Sequence, residues 1–486
     1  MELEFDKTKI QCLRQILSQI KDQELTQEVK LSEEMPDVGN VLGAWGQVLI
    51  RGKEWRSNRI AVNGGVMCWV MYMPEDQVQP RMAEGWIPFQ IQMDIPDTDA
   101  DGRICVIPAI KYIDARSVSA GKLMIRACVS LQVQANVPTT GEIYTPAATG
   151  EHIQLLKNHY RLQVPSEAGE KTFVMDEEFS VDGPVPEKLL CYRLQPVITE
   201  KKVMVGKLVF RGSALVQGIY MAEGKLYSFK MDIPFAQYVD LEHSYDPEAT
   251  AWGCPAVTSL ELELMGENTL HLKAGITGQY VICDQRDVTL VEDAYSTKQS
   301  VQMHTQNMQI PRVLEDKEQT IYADFSPKEA GRVVDTVFYP DQPRMQRNAD
   351  AVEQQLSGRC QYLYYDAEDT LRCETGKWEQ TLGDHADENI QLQMWLYPIS
   401  HTASDGVEMM FQRLAMATGG MEVVTGLTVS EEEVKPAERP SLILRRKGDQ
   451  SLWQIAKETR STVAGIMDAN GLEAEPAADR MLLIPT

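Results

Sequence analysis

Long apolar runs are missing from this 486-residue sequence. None approaches the roughly 18 residues that a membrane span needs, so no integral membrane segment is expected. The opening stretch, MELEFDKTKIQ, is acidic where a secretory leader would be basic, and no apolar core follows it, so no export is expected. Positive charge is scarce: 47 Lys and Arg against 71 Asp and Glu leave a net charge of −24. That balance argues against a nucleic-acid backbone or an anionic membrane surface as the main partner. None of the nine cysteines falls in CxxC spacing, and their odd number reads as reduced thiols. Cys68, Cys105, Cys128 and Cys283 lie among strand-like apolar residues and are expected as small buried hydrophobes. A cytoplasmic chain is expected.

Catalytic signatures are scarce as well. HExxH and GxSxG do not occur, and nothing in the sequence pairs one of the nine cysteines with one of the seven histidines. The stretch from Gly218 to Lys225 resembles a phosphate-binding loop, but it has five intervening residues. Leu226 also replaces the Ser or Thr that would hold Mg²⁺, so a hairpin turn is the better reading. His243, His385 and His401 stand near acidic residues in loops and read as solvated. Cys360 and Cys373 offer two metal ligands where a site needs a second pair. The expectation is a non-enzyme with no catalytic residue, metal or cofactor.

What the chain does have is strands. The composition is ordinary globular, 43% hydrophobic and 24% charged, enough for three or four domains with cores of their own. From Lys202 to Pro234, apolar residues at short spacing flank an Ala222-Glu223-Gly224 turn, the pattern of a β-hairpin. Asn58 to Pro96 runs the same way, and both stretches end in Met-Asp-Ile-Pro. Tyr72 and Tyr220 lie 148 residues apart, as do Pro36 and Pro184 upstream. A worn third copy follows at Gln354 to Leu371, with Tyr364 lying 144 residues beyond Tyr220. The spacing predicts a mainly β chain of three tandem β-sandwich-like repeats, at 1–135, 150–287 and 288–428. Asn136 to Gly150, rich in Pro, Thr and Gly, reads as a linker. Residues 7–24 suit a helical face through Ile10, Leu13, Ile16, Leu17 and Ile20, and alternate strand positions through Ile10, Cys12 and Ile16; we read a helix. A turn at Ser404-Asp405-Gly406 closes the last hairpin.

Val429 to Pro440 is charged and Pro-bearing, so 429–440 reads as a flexible linker. Residues 441–486 differ in kind. Leu442-Ile443-Leu444 suits a strand, and Ser451 with Gln454 forms a capping box. Leu452, Ile455, Ala456 and Thr459 make one buried helical face. Ser461-Thr462 caps a second helix that ends at Asn470-Gly471, and Met481 to Ile484 returns as a strand. The segment KGDQSLWQIAKETRSTVAGIMDANGL…RMLLIP resembles a LysM domain, a small βααβ module, through Gly448, Asp449, Leu452, Trp453, Ile455, Ala456, Asn470 and Leu483-Ile484-Pro485. The resemblance implies binding of peptidoglycan or another N-acetylglucosamine-containing glycan in a groove between two loops. On this chain those loops place Gly448, Asp449, Gln450, Ser451 and Leu452 on one side, and Gly471, Leu472, Glu473 and Pro476 on the other. Gln450 is an extra residue in the first loop, and Ala478-Asp479-Arg480 replaces the usual Pro-Gly-Gln. A LysM repurposed for protein docking is therefore an equal alternative.

The stretches GIYMAEGKLYSFKMDIPF, HIQLLKN and EDAYSTKQSVQM resemble the SPOCS domains of spore-coat morphogenetic proteins, which occur in tandem with a C-terminal LysM. That resemblance implies a non-catalytic adaptor of the mother cell, at the forespore surface, attached to a coat basement-layer ATPase or another coat protein. The alternative is a peptidoglycan-associated wall-binding protein, or an accessory of a wall hydrolase, with no part in sporulation.

Overall fold

The structure is a computed structural model. It describes all residues except 1, 97, 99–100, 147–148, 267, 324–330, 349–350, 385–389, 403–405, 418, 434–440 and 486. The chain is mainly β. After β1 (Glu2–Glu4), a first unit holds β2 (Asp6–Lys30), β3 (Val38–Arg56), β4 (Arg59–Pro74), β5 (Arg81–Asp94), β6 (Arg103–Ser119) and β7 (Lys122–Thr145). A second unit holds β8 (Ile153–Ser180), β9 (Lys188–Met204), β10 (Lys207–Ala222), β11 (Lys225–Asp240), β12 (Thr250–Leu264) and β13 (Thr269–Ser296). In the third unit the first strand is split into β14 (Gln299–Met308) and β15 (Val313–Ala323), and the second into β16 (Arg332–Pro340) and β17 (Arg344–Asn348). It continues with β18 (Ala351–Tyr365), β19 (Leu371–Asp384) and β20 (Ile390–Thr402), then a final strand also in two parts, β21 (Gly406–Ala417) and β22 (Met421–Glu433). The C-terminal module follows: β23 (Leu442–Arg446), α1 (Leu452–Thr459), α2 (Val463–Asn470) and β24 (Met481–Pro485).

Sheet order follows one pattern. The second, third and fourth strands form a meander: β3-β4-β5, β9-β10-β11, and β18 between β19 on one side and β16 with β17 on the other. The first strand pairs with the last, and the last with the fifth: β2-β7-β6, β8-β13-β12 and β15-β21-β20. Local chemistry explains the hairpins. At β10–β11, Ala222 pairs with Lys225 around a two-residue turn in which Glu223 and Gly224 have φ of 49° and 74°. Both values are left-handed, as the twist of a type I′ hairpin requires. On β5, Ile87, Phe89, Ile91 and Met93 are buried while Pro88, Gln90, Gln92 and Asp94 face solvent, the period-2 alternation of a one-sided sheet.

Several sequence expectations change. Residues 7–24 lie in β2, a strand paired along its length with β7, with Ile10, Cys12 and Leu13 buried. A partner strand 24 residues long satisfies the backbone of the whole segment, so tertiary pairing overrides the helical spacing. The hairpin read from Lys202 starts inside β9, which turns at Gly206 (φ 68°) into β10. The Pro- and Thr-rich stretch after Asn136 is strand as far as Thr145, and β13 runs unbroken across residues 287 and 288 to Ser296. Val429, read as the start of a tether, is a buried residue of β22, and strand continues to Glu433. The rest of that tether, 434–440, lies outside the described residues, as do Ser404 and Asp405 of the last hairpin turn.

The three units pack into one body. The long ribbons β2–β7, β8–β13 and β14–β22 share one apolar cluster, which includes Ile10, Ile143, Leu162, Leu290, Met308 and Leu427. A second shared cluster draws Ile107, Cys254 and Leu414 from the three units, with Trp252 and Trp395 5.3 Å apart across it. Strand β1 pairs with β22, so the first described residues lie against the end of the third unit. An ion pair crosses each junction. Lys53 meets Glu170, Lys201 meets Glu318 at 3.0 Å, and Arg344 meets Asp22 at 3.1 Å. Asp22, Glu170 and Glu318 are spaced by 148 residues, and so are Lys53 and Lys201. At the centre Asp335 accepts from Arg193 Nη1 (3.0 Å), Arg193 Nη2 (2.8 Å) and Trp45 Nε1 (3.2 Å), one residue from each unit. Burial opposes the Arg193 charge, but Asp335 outweighs it and raises the guanidinium's pKa.

Candidate functional site

The C-terminal module builds its site from two caps. Gly448 turns out of β23 with φ +62°, a left-handed value that glycine adopts at least cost, and its N–H donates to Ala478 O at 2.8 Å. Ser451 is the N-cap of α1; its hydroxyl accepts from Gln454 N, and the Gln454 side chain accepts from Ser451 N in return. Gly471 caps α2 in the left-handed conformation, φ 58°, leaving Leu472 N to reach Met467 O at 2.9 Å. These turns hold the predicted loops on the same end of the module.

The predicted residues then divide. Asp449, Gly471 and Glu473 are exposed, and Gly448, Ser451, Leu472 and Pro476 are half-buried around them. The Leu452 side chain is a core residue at 2% exposure, so only its backbone N–H faces the loops. Gln450 turns away from the loops, taken up by Arg445 and by Glu458. The extra residue of the first loop is thus absorbed in a polar cluster between β23 and α1. Glu475, which sequence reasoning passed over, closes the gap: its Oε1 accepts from Leu452 N at 3.0 Å and lies 3.4 Å from Lys447 Nζ. A carboxylate on the first N–H of a helix is a favourable placement, since those donors have no partner within the helix. Nothing in the sequence singles out Glu475 over Glu473, because the choice depends on which carboxylate the second loop carries back to α1.

The opposite face of α1 lies on the second unit. Trp453 Nε1 donates to Asp293 Oδ2 at 2.7 Å, Lys457 Nζ reaches both Asp293 oxygens at 2.6 and 2.9 Å, and Tyr295 OH donates to Ser461 O at 2.8 Å. Burial pushes the Asp293 carboxyl up, but the hydrogen bonds from Lys457 and Trp453 outweigh it and leave its pKa below the usual carboxylate value. The same burial pushes Tyr295 up to about 12. A separate cavity of about 130 Å³ sits where β3, β9 and β16 meet, lined by Gln47, Arg193, Gln217, Tyr339 and Gln342 among others. No histidine or cysteine is among its described lining residues.

Residues 187–252 match the family model described as SipL, SPOCS domain, which supports reading the chain as a SPOCS-domain protein. The matched span covers the β9-β10-β11 meander and enters β12. No curated protein and no solved structure matches the chain. No helix among the described residues is long and apolar enough to cross a membrane.

Proposed function

We propose that this chain is a non-catalytic adaptor in spore-envelope assembly, in which three copies of one β-sandwich-like domain dock coat proteins and a LysM-type module addresses the assembly. The observation that carries the reading is the SPOCS match over 187–252, whose family points to spore-coat assembly. The common strand order and the 148-residue spacing of the junction ion pairs support three copies of one domain. The βααβ order, its capping box and the two adjoining loops support the LysM reading. The chain works in the mother-cell cytoplasm at the forespore surface. Its module holds either an N-acetylglucosamine glycan of peptidoglycan or a coat basement-layer protein such as the ATPase. Glu475 on the Leu452 N–H favours protein docking, because a backbone donor that could bond an acetamido group already has a partner.

The experiment is a paired binding assay of the full chain with and without Asp449→Trp. Asp449 is exposed in the first loop and makes neither cap, so the bulky side chain obstructs the groove and leaves the module folded. Pelleting with purified peptidoglycan that the variant loses supports the glycan reading; capture of the coat ATPase that the variant loses supports docking. If the full chain engages neither, the adaptor assignment fails.

A further inference from the structure

We infer that Asp293 and Tyr295 form a dedicated docking site for the C-terminal module, which works as a fixed part of the three-unit body with the outer face of α1 closed to other partners. The inference extends the adaptor reading but rests on it only for the module's purpose, not for the contact.

The contact is built on both sides. Tyr295 is 5% exposed and belongs to the module's own core cluster, with Leu452, Ile455, Ala456, Ile466 and Ile484. Its ring meets the Trp453 indole edge-on, with centroids 4.9 Å apart. The Asp293 carboxylate accepts from an indole N–H and an ammonium together, two donors presented by one helix face at i and i+4. On the body side, register shifts between Val291 and Asp293, leaving Glu292 to bond Asn158 and Tyr160 in place of the module. Such a bulge re-aims the side chains that follow it.

In the second unit this pair faces the module. Asp293 and Tyr295 pair with Leu156 and Gln154 on β8. The positions 148 residues before Leu156 and Gln154, Thr8 and Asp6, pair with Ile143 and Thr145. Those 148 residues later, His304 and Gln302, pair with Gly426 and Thr428. The first unit does carry an acid and an aromatic two residues apart, Glu142 and Tyr144, but one position out of this register, where Lys7 donates to Glu142 and Tyr144 OH donates to Gln306 Oε1 at 2.7 Å. In the third unit the counterpart is also covered, since Gly426 and Thr428 pair with Glu4 and Glu2 of β1. Repetition does not account for what Asp293 and Tyr295 meet: the first unit's pair is engaged by Lys7 and Gln306, whereas in the second unit the module is seated on it. The face it covers holds Trp453, Lys457 and Ser461, whereas Asp449, Gly471 and Glu473 stay exposed. Docking therefore fixes the direction in which the two loops are presented.

Charge reversal tests this on the full chain. Asp293→Lys and Lys457→Asp are made singly and together and followed by hydrogen exchange over 291–296 and 452–461, with small-angle scattering for overall dimensions. Each single variant should raise exchange severalfold in both segments and increase the radius of gyration, and the double variant should recover most of both changes. Tyr295→Phe, which removes only the hydroxyl donated to Ser461, should give a smaller rise of the same kind without a change in charge. Unaltered exchange in the single variants, or a double variant as open as either, overturns the docking site. The Asp449→Trp binding assay reads the adaptor assignment separately, so either idea can fail while the other stands.

Discussion

Removal of the Asp335 carboxylate is the severest single test of how the three units are joined. Its side chain is 4% exposed and holds Arg193, itself 10% exposed, through two hydrogen bonds, and Trp45 through a third. In Asp335→Ala the guanidinium keeps its bond to Thr336 O at 3.1 Å but stays buried without a counter-charge. Breaking one side of such a pair costs about 3–5 kcal/mol, and the stranded indole N–H adds about 1–3 kcal/mol. Against a typical total of roughly 5–15 kcal/mol, the variant should unfold at far lower urea, read by far-UV circular dichroism and tryptophan fluorescence together. Arg193→Met with Asp335→Leu removes both charges and should be markedly more stable than Asp335→Ala alone. A loss below about 1 kcal/mol in the single variant, or a double variant less stable than the single, refutes a buried ionic hub.

Glu475→Ala frees the Leu452 N–H and strips Lys447 of its carboxylate; chitin-oligomer titration should then show tighter binding, and unchanged affinity would mean that this N–H is no part of the groove. Gly224→Ala puts a Cβ on a residue at φ 74°, which should cost about 1–2 kcal/mol in thermal unfolding, while half-buried Gly121 tolerates the same change in a Cβ-open site. The docked module should also have a pH window. Because the Asp293 pKa is lowered on docking, its contribution is complete above the unbound carboxylate value of about 4 and fades as pH falls through the lowered value. Tyr295 is raised, so its contribution is complete below the unbound phenol value of about 10 and fades as pH climbs through about 12. Scattering profiles across that range should show the compact form between the two limits.

Local signals in the sequence carried the strands and the module's caps, because each depends on neighbours in the chain. The Glu223-Gly224 turn and the Ser451–Gln454 box were legible for that reason. Residues 7–24 were not, since their apolar spacing fits two periods and only pairing with β7 decides between them. The module's contact with the second unit was not legible either. Its tether looked polar, but what holds α1 is Asp293 and Tyr295, 160 and 166 residues away from the atoms they bond at Trp453 and Ser461. The motif containing them stood out in the sequence without any sign that it faced the C terminus. Among the loop residues, the side chains of Leu452 and Gln450 belong to the core and to a polar cluster, because loop membership does not say which way a side chain turns.

The adaptor account is tested most directly by the position of a fluorescent fusion in sporulating cells, compared between the full chain and one lacking Leu442 to Thr486. The account predicts that the full chain collects at the forespore surface, while the shortened chain remains folded and spreads through the mother cell. A shortened chain that still collects there, with undiminished binding to peptidoglycan and to the coat ATPase, would contradict it.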